Sequence, residues 1–342
     1  MSQIGHINRF KRDPDAGTRN DSETICLIVN PMAGAGRAGR KLDELKRYAD
    51  KAFSQWTIKL TEAPGHGRAL AKEAREEDFD IVAAVGGDGT CHEVVNGLVH
   101  NGKPCPPRIK FTVIPFGTGS DLQKTIKMPR SAQEALWVAS TGITLPSDLG
   151  WVELQNNNET ISKAFINVAG FGANGEVVRL ANSMDKKWGG KLTFLRASLQ
   201  AGMNYEVPKV RLHWSGPSGE NQFEGSIMSC FLANGAYCGG GMHVGKGGTM
   251  QDGLFDMTRL PPTSMGSQII QARRLYDGSL EKWTDAERHQ IDRLEALPLT
   301  HEPVYIDLDG ELAGQLPATF RVLHRALHIR GGWLHSPHLL DT

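Results

Sequence analysis

No two cysteines of this chain stand at the spacing of a redox or zinc motif: Cys26, Cys91, Cys105, Cys230 and Cys238 form no CxxC pair. Reduced thiols in a cytoplasmic protein are the expectation. Net charge is missing as well, because 38 Lys and Arg balance 38 Asp and Glu. No global field draws the chain to nucleic acid, which is not an expected partner, or to an anionic membrane. No apolar run approaches the roughly 20 residues that span a bilayer. The N-terminus, with Arg9, Lys11, Arg12, Asp13 and Asp15, lacks a signal-peptide core. Residues 1–22 read as a solvated tail. Internal repeats and low-complexity linkers are absent too. The 342 residues suit two domains, with a soft boundary near Ser140 to Pro146.

What the chain does have is concentrated in Ile81-Val82-Ala83-Ala84-Val85-Gly86-Gly87-Asp88-Gly89-Thr90. The first half reads as a buried parallel strand. The glycines let the backbone approach a ligand closely. Thr90 occupies a helix N-cap position ahead of an apolar helical face starting at His92. Strand, glycine turn and helix start together aim unpaired N–H groups and the positive helix end at an anion. Asp88 adds a hard oxygen ligand for Mg²⁺ or a proton acceptor.

The pattern repeats along the first half. Strands are expected at Thr24–Val29, Trp56–Thr61 and Ile109–Ile114, with a helix through Leu42, Leu45, Tyr48, Ala49, Ala52 and Phe53. Glycine-rich turns follow the first and fourth strands, at Asn30–Gly39 and Pro115–Leu122. Alternating strands and helices imply a parallel sheet whose ligands lie at the carboxyl ends of its strands. From Gly150 the segments are strand-like with little helix between them (150–154, 163–168, 209–214 and 225–232), the pattern of an antiparallel sheet or sandwich. Helices are expected at Gly190–Met203 and between Asp285 and Leu297, and a strand at Val304–Leu308 running into Asp309-Gly310-Glu311.

Gly34-x-Gly36-x-x-Gly39 matches the dinucleotide fingerprint, with Glu62 placed as a ribose-binding acid. A dehydrogenase, however, explains neither Asn30-Pro31 nor the second glycine loop nor the late acidic turn. A Walker loop is excluded because Arg40 and Lys41 follow Gly39, not Lys and a hydroxyl residue. Any one glycine loop could simply serve a tight turn, but three at one sheet edge point to a phosphate site.

Asn30-Pro31 with its glycines, GGDGT at 86–90 followed by Glu93-Val94-Val95-Asn96-Gly97, and Pro115-x-Gly117-Thr118-Gly119-Ser120-Asp121 resemble the diacylglycerol kinase catalytic-domain superfamily. That superfamily includes the bacterial YegS-like lipid kinases and the sphingosine and ceramide kinases. Asn234-Gly235 with Gly239–Met242, Asp252–Asp256 and Asp309-Gly310-Glu311 are similar to its later motifs in the same order. The resemblance covers roughly Ile25 to Arg330. It implies an α/β domain with a parallel sheet, of the NAD kinase/diacylglycerol kinase kind, over 23–143. A β-rich, sandwich-type substrate domain would follow over 144–330, with a tail at 331–342 free to return to the first domain.

For activity, the resemblance implies an ATP-dependent lipid kinase. ATP contacts carry over to Asn30, Pro31, Ala33, Gly34, Thr61, Gly86, Gly87, Asp88, Gly89, Thr90, Glu93 and Thr118, and an acceptor contact to Asp121. A base element carries over to Asp309 and Glu311, and a structural Mg²⁺ to Thr249, Asp252 and Leu254. The chain departs from the family pattern at Cys91, at His92 (frequently Asn), at Gly245–Gly248 and at Gln251.

Phosphoryl transfer asks chiefly for positioning and charge neutralisation, with a carboxylate to take the acceptor's proton. Asp88, Asp121, Asp309 and Glu311 are the candidates. The Asp309/Glu311 pair is the expected base, with Asp88 organising metal, nucleotide or acceptor. Loss of either member is expected to abolish transfer in a folded protein. The rival view makes Asp309-Gly310 only a hairpin turn. Expected partners are ATP, Mg²⁺ and a lipid at a membrane surface, and a homodimer stays open. The Gly190–Met203 helix, with Lys186, Lys187, Trp188, Lys191 and Arg196, is a candidate membrane contact, though core packing is the plainer reading. His324, His328, His335 and His338 read as surface histidines rather than metal ligands. A soluble-substrate kinase of the NAD kinase type and a non-catalytic sensor are the alternatives.

Overall fold

In the computed structural model of the chain, residues 19–117, 121–156, 159–184, 205–245, 250–263 and 273–332 are described. Thr118, Thr249, the segment expected as the Gly190–Met203 helix, and His335 and His338 lie outside them.

The first lobe is built from β1 (Asn20–Val29), α1 (Ala33–Arg40), α2 (Leu42–Ala52), β2 (Phe53–Leu60), α3 (His66–Glu76), β3 (Ile81–Gly86), α4 (Asp88–Leu98), β4 (Lys110–Pro115), α5 (Asp121–Thr125) and α6 (Ala132–Thr141). Strand pairing is parallel in the order β2-β1-β3-β4. Every residue of β3 is buried, as the apolar run requires of a central strand covered on both faces. Leu45, Ala49 and Ala52 form the buried stripe of α2.

The second lobe follows through β5 (Ile143–Asn156), β6 (Glu159–Phe165), β7 (Val168–Gly172), α7 (Ala173–Ser183), β8 (Lys209–Ser215), β9 (Asn221–Ser226) and β10 (Ser229–Ala233). It continues through β11 (Tyr237–Cys238), β12 (Met242–His243), β13 (Phe255–Leu260), β14 (Glu287–Ile291), β15 (Arg293–Pro298), β16 (Tyr305–Leu308), β17 (Glu311–Gln315) and β18 (Ala318–Gly331). An antiparallel sheet in the order β14-β13-β10-β7-β16-β17 faces strands of the larger sheet. Between them lies one apolar layer, in which Phe171 and Phe320 stack with centroids 5.9 Å apart. The α/β lobe and the antiparallel sandwich are the two folds the sequence implied.

Four local expectations fail. Thr90, expected as a helix cap, lies inside α4, whose cap is Gly87. The strand expected over 163–168 breaks at Ile166-Asn167 into β6 and β7 of different sheets. The helix placed between Asp285 and Leu297 is the strand pair β14 and β15, whose burial alternates residue by residue in β15. Its Glu, Arg and Ala content favours helix, but pairing with β13, β8 and β18 overrides that preference. The strand expected over 225–232 breaks at Ile227-Met228 into β9 and β10, which join different sheets.

The lobes share β18. Its first half pairs with β5 and β15, and its last residues pair in parallel with β4, Ile329 opposite Phe111. A register shift between Leu323 and Leu327 and a positive φ of 49° at Arg325 bend the strand where it passes between lobes. Arg330 and Lys110 both bond Glu23, locking β18 and β4 to β1. Burial alone would push the Glu23 carboxyl up, but these two cations outweigh it and hold it at about 2. No helix among the described residues is long and apolar enough to cross a membrane.

Candidate active site

Three glycine loops meet at the carboxyl ends of β1, β3 and β4. The Gly86 carbonyl accepts from Phe116 N at 2.8 Å and Gly117 N at 3.0 Å. A Cβ on Gly117 would lie 2.6 Å from the Gly87 Cα, so only glycine permits that contact. The first loop leans on the same place. Gly34, Ala35 and Gly36 are all left-handed (φ 61°, 58° and 78°), and a Cβ on Gly34 would sit 2.4 Å from the Phe116 carbonyl oxygen. Asn30 joins the loops: its N–H donates to Val85 O at 3.1 Å and its Nδ2 to Thr90 Oγ1 at 3.4 Å. Pro31 and Ala33 lie in the same turn, and Thr61 ends the neighbouring strand with its N–H on Val29 O at 2.9 Å. Gly87 caps α4, whose first-turn N–H groups at Asp88, Gly89 and Thr90 have no helical acceptor. The edge therefore offers a crowded set of backbone donors to an anion.

The carboxylates around this edge differ in how far they are committed. Asp88 accepts from Asp121 N and Leu122 N, each at 3.2 Å, and so holds the start of α5. Burial, with Asp121 and Asp309 as negative neighbours, pushes its carboxyl up to about 6 against the two N–H bonds. Asp121 is buried, paired with Lys124 Nζ at 2.7 Å and accepting Gly240 N at 2.7 Å, which ties α5 to the Gly239–Gly241 turn of the second lobe. Glu93 accepts Gly65 N at 2.7 Å and Gly67 N at 2.8 Å. Both its oxygens are spent on fastening the start of α3, rather than facing the loops as a free nucleotide ligand.

Asp309 and Glu311 part company. Asp309 (φ 55°) and Gly310 (φ 87°) form the two-residue turn between β16 and β17, so the hairpin view of this dipeptide is correct as geometry. The Asp309 side chain is only 3% exposed. One carboxylate oxygen accepts Asn167 N at 2.8 Å and Val168 N at 3.2 Å. The other accepts Ile166 N at 3.0 Å and faces His92 Nδ1 at 3.0 Å. A carboxylate with four donors is an anchor. Glu311, by contrast, is exposed and starts β17, and no hydrogen bond holds its carboxylate among the described residues. It lies against the phosphate loop, since a Cβ on Gly89 would be 2.7 Å from Glu311 Oε1. Its electrostatic partner is Lys163 of β6, whose amine burial and Arg68 push down while Glu311 pushes it up.

Of the residues carried over for a structural Mg²⁺, Asp252 and the backbone carbonyl of Leu254 are described and Thr249 is not. Asp252 Oδ1 accepts Leu254 N at 3.1 Å, which leaves that exposed side chain one uncommitted oxygen. The nearby fully buried Asp148 is already occupied by Gly253 N at 2.7 Å, Arg325 N at 2.6 Å and His324 Nδ1 at 2.9 Å. Among the described residues no three His, Cys, Asp or Glu side chains form a metal cluster. Mg²⁺ keeps several waters and binds through one or two carboxylates, so Asp252 with backbone carbonyls is the set carried over for it. Asp148 beside it centres a loop-to-strand clasp.

Several residues escaped the sequence reading. His92 was noted only as a departure from Asn. Asn96, one turn later, bonds both Ala164 N (2.8 Å) and Ala164 O (2.9 Å) in the second lobe. Asn234 Nδ2 bridges Asp148 O and Ile166 O at 2.9 and 2.7 Å. Lys163 carried no signal, lying in an ordinary alternating strand.

Comparison with known proteins agrees with this architecture. Residues 24–152 match the family model of the diacylglycerol kinase catalytic domain, and residues 167–331 that of the YegS C-terminal NAD kinase beta sandwich-like domain. A diacylglycerol kinase of Bacillus subtilis is 28% identical over 311 residues, covering 89% of this chain and 94% of that protein. One from Staphylococcus carnosus is 25% identical over 315 residues, covering 89% and 93%. A crystal structure of a diacylglycerol kinase from Bacillus anthracis shares the fold with a TM-score of 0.66 at 20% identity, covering 93% of this chain and 98% of that one. With both of its lobes matched in order, the chain belongs to the diacylglycerol kinase catalytic-domain superfamily and is a kinase.

Proposed function

We propose that the cleft transfers the γ-phosphoryl group of ATP to the hydroxyl of a lipid alcohol, with Glu311 as the general base. The place of Glu311 carries this reading: an exposed carboxylate, without a hydrogen bond among the described residues, on a hairpin against the Gly86–Thr90 loop. Asn30, Pro31, Ala33, Gly34, Thr61 and Gly86–Thr90 cradle the nucleotide, which brings Mg²⁺ as the counterion that neutralises its phosphates. As the acceptor oxygen attacks the γ-phosphorus, Glu311 takes its proton and ADP leaves. Asp309 positions the hairpin. Asp88 holds the start of α5 against the phosphate loop. A lipid acceptor is supported by the names of the B. subtilis and S. carnosus relatives, both diacylglycerol kinases.

The test is direct. The protein is incubated with γ-labelled ATP, Mg²⁺ and detergent micelles carrying diacylglycerol, phosphatidylglycerol, a sphingoid base or ceramide, with NAD as a soluble acceptor. Label in the lipid extract, lost in Glu311→Gln, is expected. Label appearing in NAD instead removes the lipid acceptor. Bound ATP with no transfer to any acceptor removes the kinase reading.

A further inference from the structure

Helix α4 does two jobs at once. Its first turn, Asp88-Gly89-Thr90, belongs to the phosphate loop, and its next turns reach the second lobe through His92 and Asn96, four residues apart on one face. Asn96 grips the backbone of Ala164 with both ends of its amide. His92 grips something closer to the chemistry. Its side chain is 12% exposed, and Nδ1 meets Asp309 Oδ2 at 3.0 Å, the oxygen that also accepts Ile166 N. Asp309 opens the two-residue turn that launches Glu311, so only Gly310 separates the His92 partner from the carboxylate lying on Gly89. Gly89 and His92 are three residues apart on α4, about 4.5 Å along the axis. The spacing between phosphate cradle and Glu311 is therefore set by helix α4 through the His92–Asp309 bond, together with the 166–168 backbone that also holds Asp309.

We infer that His92 is a positioning residue that registers the Asp309–Glu311 hairpin against the phosphate loop, acting through its Nδ1–H. This rests on Glu311 serving as the base. The lobes stay joined without His92, because β5 and β18 run between them and Asn96 holds Ala164. Loss of His92 thus removes the direct bond from α4 to the hairpin, which the 166–168 backbone alone then holds, without dissolving the fold. A misplacement of about 1 Å at a reacting group costs on the order of 10²-fold in rate.

The side chain's bond count makes the idea sharp. Imidazole Nδ1 and the amide nitrogen of Asn are equally far from the backbone, whereas the Gln amide is one carbon further out. Asn at 92 keeps a donor for Asp309, while Gln and Ala do not. His92→Asn, His92→Gln, His92→Ala and Glu311→Gln are compared with the unaltered protein for transfer from γ-labelled ATP to dioleoylglycerol in micelles. Urea midpoints and hydrogen exchange at residues 166–168 are measured alongside.

The expected result is a 10- to 100-fold fall in kcat for the Ala and Gln variants, with the KM for ATP within about 2-fold and only a small change in urea midpoint. The Asn variant keeps kcat within about 3-fold. Exchange at 166–168 quickens in Ala and Gln, not in Asn. Unchanged kcat in His92→Ala beside an inactive Glu311→Gln overturns the inference and spares the base. An active Glu311→Gln overturns the base and the inference together. An Asn variant as slow as the Ala one overturns the Nδ1–H role. Should dioleoylglycerol accept no phosphate, exchange decides: rates at 166–168 that are the same in all variants overturn the inference.

Discussion

Exchanging Asp309 for Asn and Glu311 for Gln separates two roles that the sequence treats as one. In Asp309→Asn a single amide oxygen can still accept from Asn167 N and Val168 N. The new NH₂ then points at Ile166 N–H and His92 Nδ1, now without an acceptor. Each buried donor left unsatisfied costs about 1–3 kcal/mol, so the variant should lose roughly 2–6 kcal/mol of stability. Glu311 is exposed and has no hydrogen bond among the described residues, so Glu311→Gln should stay within about 0.5 kcal/mol of the parent. Turnover should order differently. Removing a general base costs about 10²- to 10⁴-fold, or roughly 3–5 kcal/mol of barrier, and that loss belongs to Glu311. Asp309→Asn should slow transfer less, by about 10²-fold, through the displaced hairpin. Urea unfolding and initial rates of lipid phosphorylation on the same preparations give both quantities. An Asp309→Asn protein with parental stability and a rate as low as that of Glu311→Gln would refute the division and move the base to Asp309.

Other outcomes follow from single contacts. Native Asp88 keeps its proton up to about 6, whereas an unfolded carboxyl releases it near 3.8. The native state thus binds more protons between those values. Stability should fall as pH rises from about 4 to about 6, by on the order of 1–3 kcal/mol, water at the exposed edge of the carboxylate favouring the lower end. Thermal melts of Asp88→Asn, which should lose that slope, check it. Gly117→Ala would press a methyl onto the Gly87 backbone and should lower yield and urea midpoint, while Gly89→Ala meets only the mobile end of Glu311 and should lower kcat in a folded protein. Parental behaviour in both would break the described loop packing. Glu23→Gln removes the charge facing the buried Arg330 and should cost about 3–5 kcal/mol. Glu23 is held at about 2 against an ordinary 4.5, so its contribution is present above 4.5 and lost as pH falls toward 2.

The loops and both lobes could be read from the chain because their signals are local. Three glycine turns after apolar strands announce close backbone approach, and alternation such as Val210, Leu212 and Trp214 between exposed neighbours announces a half-buried strand. What stayed hidden depends on partners distant in sequence. Glu93 reads as a nucleotide ligand until Gly65 and Gly67 are seen filling its oxygens. β14 and β15 read as helix until neighbouring strands supply their hydrogen bonds.

Backbone is where the sequence spoke for itself: Gly34 and the Asp309-Gly310 turn take left-handed conformations, and Gly117 approaches Gly87 where no Cβ fits. The commitment of each charged side chain belonged to the tertiary structure. A carboxylate's role depends on which donors reach it, and those of Asp309 come from residues 166–168 and from His92, more than 140 positions away. Only folding could show that Asp309 is saturated and Glu311, two residues later, is not.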